Sequence, residues 1–97
     1  MLAEKNGVRY IVDVKDWNVW NFGREIEVRK LEALTDQITR YSRWARELTA
    51  STGQTHKVSL HFQNFPRQGD TSNLIQTLRE LLERNRDVLE ITGLVLP

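Results

Sequence analysis

One stripe of apolar residues, spaced as on a single helix face, constrains the fold of this chain more than any other feature. Its members recur at intervals of three and four: Leu31, Leu34, Ile38, Tyr41, Ala45 and Leu48. We expect a helix that begins between Glu25 and Lys30 and ends near Thr49. Gly53 follows as a left-handed C-terminal cap. Twenty helical residues are about 30 Å long, so this one element spans the whole domain.

The segment before this helix shows the alternation of a β-hairpin. Asn6-Gly7 predicts a type I′ turn, because both residues tolerate positive φ. Residues 8–15, which follow the turn, are rich in β-branched and aromatic side chains. A two-residue turn places Leu2 opposite Ile11 across the hairpin.

Three further elements follow the long helix. Residues 56–62 alternate as a strand with Val58, Leu60 and Phe62 on one face. A second helix, capped by one of residues 70–72, carries apolar side chains on one side. These are Leu74, Ile75, Leu78, Leu81 and Leu82. A last apolar strand, residues 89–96, is interrupted by a glycine. The order β-β-α-β-α-β predicts an α/β fold with a mixed sheet covered by helices on both faces.

The composition excludes several kinds of site and of binding but does not identify a class of protein. The chain has 97 residues, enough for one hydrophobic core, so residues 1–97 are expected to form a single domain. Its lack of cysteine excludes disulfides, cysteine-based zinc sites and thiol nucleophiles within this sequence. A formal net charge of +1 excludes nucleic-acid binding by bulk positive charge alone. No apolar run is long enough to span a bilayer, so we expect a cytoplasmic protein without a membrane partner.

The end of the second strand carries the residues that point most directly to chemistry. Alternation puts Asp13 and Lys15 on one face of the strand, and Val12 and Val14 on the other. Burying charged side chains at the end of an apolar strand costs free energy unless they form an ion pair or take part in binding or catalysis. A carboxylate that binds a divalent cation, beside an ammonium that orients the attacking water, suits metal-assisted hydrolysis. The Val14 carbonyl is a further candidate ligand for Mg²⁺.

The long helix carries a second polar motif. Gln37 and Tyr41 are four residues apart and so share one helix face. Both side chains can donate hydrogen bonds to phosphate or to a catalytic water. Arg40 belongs to a set of basic residues that would form either a phosphate-facing rim or a solvated face balanced by acids. The set is Arg29, Lys30, Arg40, Arg43 and Arg46.

Together the two motifs resemble the PD-(D/E)XK nuclease superfamily, in particular its branch with a Gln-x-x-x-Tyr helix. Asp-Val-Lys stands at a strand end, and Gln-x-x-x-Tyr follows about 22 residues later on a helix. The resemblance implies a restriction-endonuclease-like core and a nuclease that uses Mg²⁺ or Mn²⁺ on DNA or RNA. It implies Asp13 as metal ligand, Lys15 as catalytic lysine, and Gln37 and Tyr41 as the helix motif. DNA repair enzymes, restriction enzymes and bacterial nuclease toxins share this framework.

The first helix, first strand and first acidic residue of that family have no counterpart in this sequence. The hairpin register would place the residue before Met1 opposite Asp13, and Glu4 lies about 13 Å from Asp13 along the sheet. A single carboxylate binds Mg²⁺ weakly. We therefore expect the C-terminal part of a longer nuclease domain, inactive alone. An upstream segment, a partner protein or a second copy in a homodimer would complete its site. The alternative is a degenerate member that kept the fold and lost the chemistry.

The sequence is also compatible with a function of another class, that of a non-catalytic protein-interaction module. In such a module Asp13 and Lys15 form a structural ion pair, Gln37 is a polar residue that flanks the apolar stripe, and Tyr41 belongs to the core. The aromatic residues after Lys15 also have two interpretations, since they either stack on nucleobases or anchor their loop to the core. They are Trp17, Trp20 and Phe22.

Overall fold

A computed structural model describes residues 2–94 of the chain. Within this range the elements follow one another in the expected order, β-β-α-β-α-β. They are β1 (Leu2–Lys5), β2 (Val8–Lys15), α1 (Arg24–Thr52), β3 (His56–Phe62), α2 (Ser72–Arg84) and β4 (Leu89–Thr92). The strands form one mixed sheet in the spatial order β1-β2-β3-β4. The α/β class predicted from the sequence is confirmed.

The hairpin forms as its turn residues predict. Asn6 and Gly7 have φ values of 55° and 80°, both positive as a type I′ turn requires. Strands β1 and β2 pair antiparallel, with Leu2 opposite Ile11. The predicted register is therefore confirmed, while the pairing expected before Leu2 falls outside the described residues.

Both helices lie on the same face of the sheet, so the expectation that helices cover both faces is wrong. Strands β2, β3 and β4 are parallel neighbours, and α1 and α2 connect them as crossovers. Such crossovers are right-handed, and two that step in the same direction place both helices on one side. The helices contact each other and share one core with the strand residues that face them. Within residues 2–94 no helix covers the opposite face, on which Val14 is 45% exposed.

Helix α1 has 29 residues and extends slightly beyond the predicted range at both ends. It begins at Arg24 and ends at Thr52, and Gly53 caps it in the left-handed conformation with φ 75°. The Gly53 N–H donates to the Thr49 carbonyl at 3.1 Å, as a helix-ending glycine does. Neither helix of the described residues combines the length and the apolar character needed to cross a membrane.

The buried side of α1 is rotated relative to the predicted stripe. Its buried residues are Leu34, Ile38, Ser42 and Ala45. Leu31, Tyr41 and Leu48 of the predicted stripe are only partly buried. The rotation follows from the placement of α2, which packs beside α1 on the same sheet face and adds a second contact surface. Tyr41 consequently borders the core instead of filling it.

Helix α2 is capped indirectly. Thr71 occupies the N-cap position, and its side chain makes no capping hydrogen bond. Instead Asp70 Oδ1 accepts hydrogen bonds from the Ser72 N–H at 3.0 Å and the Ser72 hydroxyl at 2.5 Å. These bonds hold the pKa of Asp70 below its ordinary value.

Strand β3 lies at the centre of the core, and β4 is a short edge strand. Alternate residues of β3 are buried, namely His56, Val58, Leu60 and Phe62. Strand β4 ends at Thr92, where Gly93 turns the backbone with φ 87°. The expected strand 89–96 is thus shorter, although its last residues, 95 and 96, lie outside the described range.

Aromatic side chains anchor the loop between β2 and α1 to the core. Trp20 is 1% exposed, and its indole N–H donates to Glu27 Oε2 at 2.9 Å. The Trp17 ring packs against Trp20 and Phe62, with ring centres 5.4 and 5.9 Å apart. Anchoring is therefore the correct interpretation for Trp20 and Trp17. Phe22, which is 37% exposed, keeps an accessible ring.

Candidate functional site

Asp13 and Lys15 lie at the carboxyl end of β2, on the face that the helices cover. The register pairs Asp13 with Leu60 and Lys15 with Phe62, and both partners belong to the core. Lys15 Nζ lies 3.3 Å from Asp13 Oδ2, with the two side chains 18% and 13% exposed. The shared face predicted from alternation is confirmed. The two charges form an ion pair at the margin of the core.

Helix α1 brings Gln37 and Tyr41 to this ion pair. Lys15 Nζ donates to Gln37 Oε1 at 2.9 Å, and Gln37 Nε2 donates to Tyr41 Oη at 3.2 Å. An ammonium can only donate, so Gln37 must present its oxygen to Lys15 and its amide group to Tyr41. One line of polar contacts, Asp13–Lys15–Gln37–Tyr41, therefore joins the motif of β2 to the motif of α1.

The Asp13 carboxylate retains acceptor capacity. Its Oδ2 atom is buried and makes no hydrogen bond with residues 2–94, although it forms the ion pair with Lys15. Buried carboxylate oxygens ordinarily accept hydrogen bonds. This oxygen is therefore available to a further donor or to a cation.

The Val14 carbonyl points to the edge of β2 that β1 leaves open. Gln63 N–H donates to the Lys15 carbonyl at 2.9 Å, on the β3 side of the strand. Successive residues of a strand direct their backbone groups to opposite edges, so the Val14 carbonyl faces the β1 side. Strand β1 pairs with β2 only as far as Ile11 in the described residues. Asp13 and Val14 thus supply two candidate oxygen ligands from neighbouring residues of β2.

No second acid joins these two oxygens within residues 2–94. Glu4 pairs across the hairpin with Arg9, toward the other end of β2, and its Oε1 accepts from Gln54 Nε2 at 2.7 Å. No cluster of three or more histidine or acidic side chains in the described range could hold a metal ion. Mg²⁺ usually takes about six oxygen ligands. The donor atoms present in the described residues fit only part of such a site.

The loop between β2 and α1 places a second ammonium, that of Lys30, near Lys15. From the sequence, Lys30 was predicted only as part of a basic rim. Lys15 Nζ and Lys30 Nζ each lie 5.5 Å from the centre of the Trp17 ring. The signal that could have identified Lys30 is its spacing, because it precedes Gln37 by two helical turns and so shares its face.

The other arginines of the predicted basic rim differ in whether an acidic residue pairs with them. Arg40 is exposed beside Tyr41, where it is accessible to a phosphate. Arg29 instead forms an ion pair with Glu25 at 2.9 Å. Arg46 binds both carboxylate oxygens of Asp87 at 2.9 Å, which raises the pKa of Arg46 and lowers that of Asp87. For Arg29 and Arg46 a balanced solvated surface is therefore the correct interpretation.

None of the protein-family models, curated proteins or solved structures compared with this chain matches it significantly. The fold assignment therefore rests on the architecture itself, a four-stranded mixed sheet with two helices. The resemblance of the two motifs to a nuclease family stays a prediction.

Proposed function

We propose that this chain is the lysine-bearing part of a metal-dependent nuclease domain that hydrolyses phosphodiester bonds of DNA or RNA. The observation that carries the proposal is the contact of Lys15 Nζ with Asp13 Oδ2 at 3.3 Å and with Gln37 Oε1 at 2.9 Å. A strand acid and a helix amide converge on one ammonium at a strand end, as the PD-(D/E)XK resemblance requires. On the same ground we assign the finer fold, a restriction-endonuclease-like core.

Each polar group of the site has a role in the proposed hydrolysis. The Lys15 ammonium orients the attacking water and stabilises its hydroxide form. Gln37 is a positioning residue, because its oxygen holds Lys15 in place. Tyr41 accepts a hydrogen bond from Gln37 and keeps its own proton to donate to a phosphate oxygen. Arg40, exposed on the same helix, binds a neighbouring phosphate.

The proposed cofactor is Mg²⁺ or Mn²⁺, with the Asp13 carboxylate and the Val14 carbonyl as ligands from this chain. Such an ion, when bound, supplies Lewis-acid stabilisation of charge on the phosphate. Because the described residues supply only two of its ligands, the proposal requires at least one further carboxylate from elsewhere. An upstream segment, a partner protein or a second copy would provide it. The chain alone is expected to show little or no cleavage.

Metal-dependent cleavage of DNA and tRNA by the intact gene product tests the proposal. We expect Asp13→Asn and Lys15→Met each to lower the cleavage rate about 100-fold or more. Lys57→Met is the matched control, since Lys57 is also a strand lysine in an ion pair, with Glu90 at 3.6 Å, on the opposite sheet face. Unchanged cleavage by both folded site variants would refute the nuclease assignment.

The positioning role of Gln37 has a separate test. Gln37→Glu keeps an oxygen acceptor for Lys15, whereas Gln37→Leu removes it. We expect the leucine variant to lower kcat with little change in KM, and the glutamate variant to restore much of kcat. A loss confined to KM in the leucine variant would assign Gln37 to substrate binding instead.

Metal binding can be measured apart from cleavage. Titration with Mn²⁺, followed by paramagnetic broadening of backbone amide signals, is expected to affect Asp13 and Val14 first. Asp13→Asn should abolish this selective broadening, because the variant has no carboxylate to bind the ion. Broadening that is the same in parent and variant would remove Asp13 from the metal site.

One observation favours the second candidate, a non-catalytic interaction module. No helix covers the sheet face that carries Tyr10, Val12 and Val14 within the described residues, and Val14 is 45% exposed. An uncovered face with apolar side chains is typical of a surface that meets a partner. This alternative predicts no cleavage by any form of the gene product, so the cleavage assay separates the two candidates.

A further inference from the structure

Lys30 extends the Lys15 site along helix α1. It precedes Gln37 by seven residues, so both lie on one helix face about 10 Å apart along the axis. Lys30 Nζ lies 4.8 Å from the centre of the Phe22 ring and 5.5 Å from that of Trp17. Because Lys15 Nζ is also 5.5 Å from the Trp17 ring, the two ammonium groups are separated by at most twice that distance.

The charge of Lys30 is not neutralised by a neighbouring acid. Glu27, one turn earlier on α1, is engaged elsewhere, since its oxygens accept from Trp20 Nε1 at 2.9 Å and Asn73 Nδ2 at 2.7 Å. No ion pair within residues 2–94 joins Lys30 to a carboxylate. Lys30 contacts aromatic rings instead. The cation–π contacts of this half-buried lysine are weaker than an ion pair with a phosphate, so such an anion can displace them.

Phe22 provides an accessible ring next to this ammonium. Its side chain is 37% exposed, while the ring of Trp20 supports it edge-on at a centroid distance of 5.2 Å. A ring that Trp20 supports, and over which only a displaceable ammonium lies, suits stacking by a nucleobase. Bases in a duplex are stacked on each other and do not offer a free face, whereas unpaired bases do.

We infer that the site takes a single-stranded nucleic acid, with Lys30 on a phosphate next to the one at Lys15 and an unpaired base stacked on Phe22. This inference rests on the proposed nuclease function and names the substrate class of that site. On binding, the Lys30 ammonium leaves the Phe22 ring for the phosphate, and the base takes its place on the ring. Lys30 and Phe22 are then specificity-determining residues, distinct from the groups proposed to act on the scissile bond.

Fluorescence anisotropy of labelled oligonucleotides, with EDTA present to prevent cleavage, tests the inference. We expect a single strand to bind at least tenfold more tightly than a duplex of equal length. Lys30→Met and Phe22→Leu should each weaken single-strand binding about fivefold to tenfold. Lys30→Met should also lower the slope of log affinity against log salt by about 0.7, while Phe22→Leu leaves the slope unchanged.

Controls separate the site from general charge and from misfolding. Lys57→Met removes a lysine on the other sheet face and should leave binding unchanged, whereas Lys30→Arg and Phe22→Tyr should retain it. Equal affinity for single strand and duplex, or equal effects of Lys30→Met and Lys57→Met, would overturn the inference. Because this assay needs neither metal nor cleavage, its failure leaves the proposed hydrolysis standing. Failure of the Asp13 and Lys15 variants to affect cleavage would instead refute the proposed function itself.

Discussion

Replacing Lys15 by methionine perturbs the centre of the site with little change in side-chain length. The substitution removes the ammonium that lies 3.3 Å from Asp13 Oδ2. That oxygen is buried and accepts no hydrogen bond within the described residues, so the variant leaves a carboxylate without its cation.

The expected cost follows from the burial of the pair. Removing one partner of a fully buried ion pair costs about 3–5 kcal/mol, and exposed pairs contribute about 0–1 kcal/mol. With side chains 18% and 13% exposed, this pair is nearer the buried limit. We therefore expect Lys15→Met to lower the free energy of unfolding by about 2 kcal/mol. For a domain of this size the melting temperature falls by about 8–16 °C.

Urea unfolding of a double-mutant cycle measures the pair itself. Asp13→Asn alone should cost less than Lys15→Met, because a lysine side chain can extend to water. The double variant should be more stable than Lys15→Met, with a coupling energy of about 1–2 kcal/mol. Lys57→Met, which removes a more exposed ion pair, should cost less than about 1 kcal/mol. Equal losses for Lys15→Met and Lys57→Met, or a coupling energy near zero, would refute the account of Asp13 as a buried, cation-dependent carboxylate.

Three further predictions concern stability. Ser42→Ala should raise the free energy of unfolding by about 1 kcal/mol in thermal melts, because the Ser42 hydroxyl is fully buried and has no hydrogen bond among residues 2–94. Arg46 lowers the pKa of Asp87, so that carboxylate stabilises the fold above its unfolded pKa, and the contribution is lost as pH falls through the lower folded value. Melts of Asp87→Asn should therefore differ from the parent by about 0.5–1 kcal/mol at neutral pH and converge with it near pH 2. Gly69→Ala should cost about 2 kcal/mol or more, since φ is +91° and an added Cβ would lie 1.5 Å from the Trp20 carbonyl oxygen.

Two of these substitutions have a matched control in the chain, and the third is checked by its pH dependence. Ser51→Ala changes an exposed helical serine and should affect stability less than Ser42→Ala. Gly23→Ala meets nothing within 4 Å at a negative φ, so it should be tolerated where Gly69→Ala is not. A stability difference between Asp87→Asn and the parent that persists at pH 2 would contradict the assignment of that difference to the Arg46–Asp87 pair. A destabilised Ser42→Ala variant would show that the hydroxyl has a partner after all.

Local patterns predicted each element because each depends on neighbours in sequence. The hairpin turn needs two residues that tolerate positive φ, and Asn6-Gly7 supplies both. Strand alternation predicted that Asp13 and Lys15 share a face, and helical spacing predicted the same for Gln37 and Tyr41. The buried face of α1 was less predictable, because it includes the polar Ser42 and depends on how α1 packs against β3 and α2, which lie later in the chain.

The sequence by itself determined the element order, the hairpin register and the residues that share each strand face, since all three follow from backbone preferences and side-chain period. Only the tertiary structure decided that both helices share one sheet face, because that depends on the handedness of two successive crossovers. It also decided that Lys15 meets Gln37 at 2.9 Å and that Lys30 lies over Trp17 and Phe22. Contacts between distant segments depend on how α1 packs against β2 and β3, and no local pattern specifies that packing.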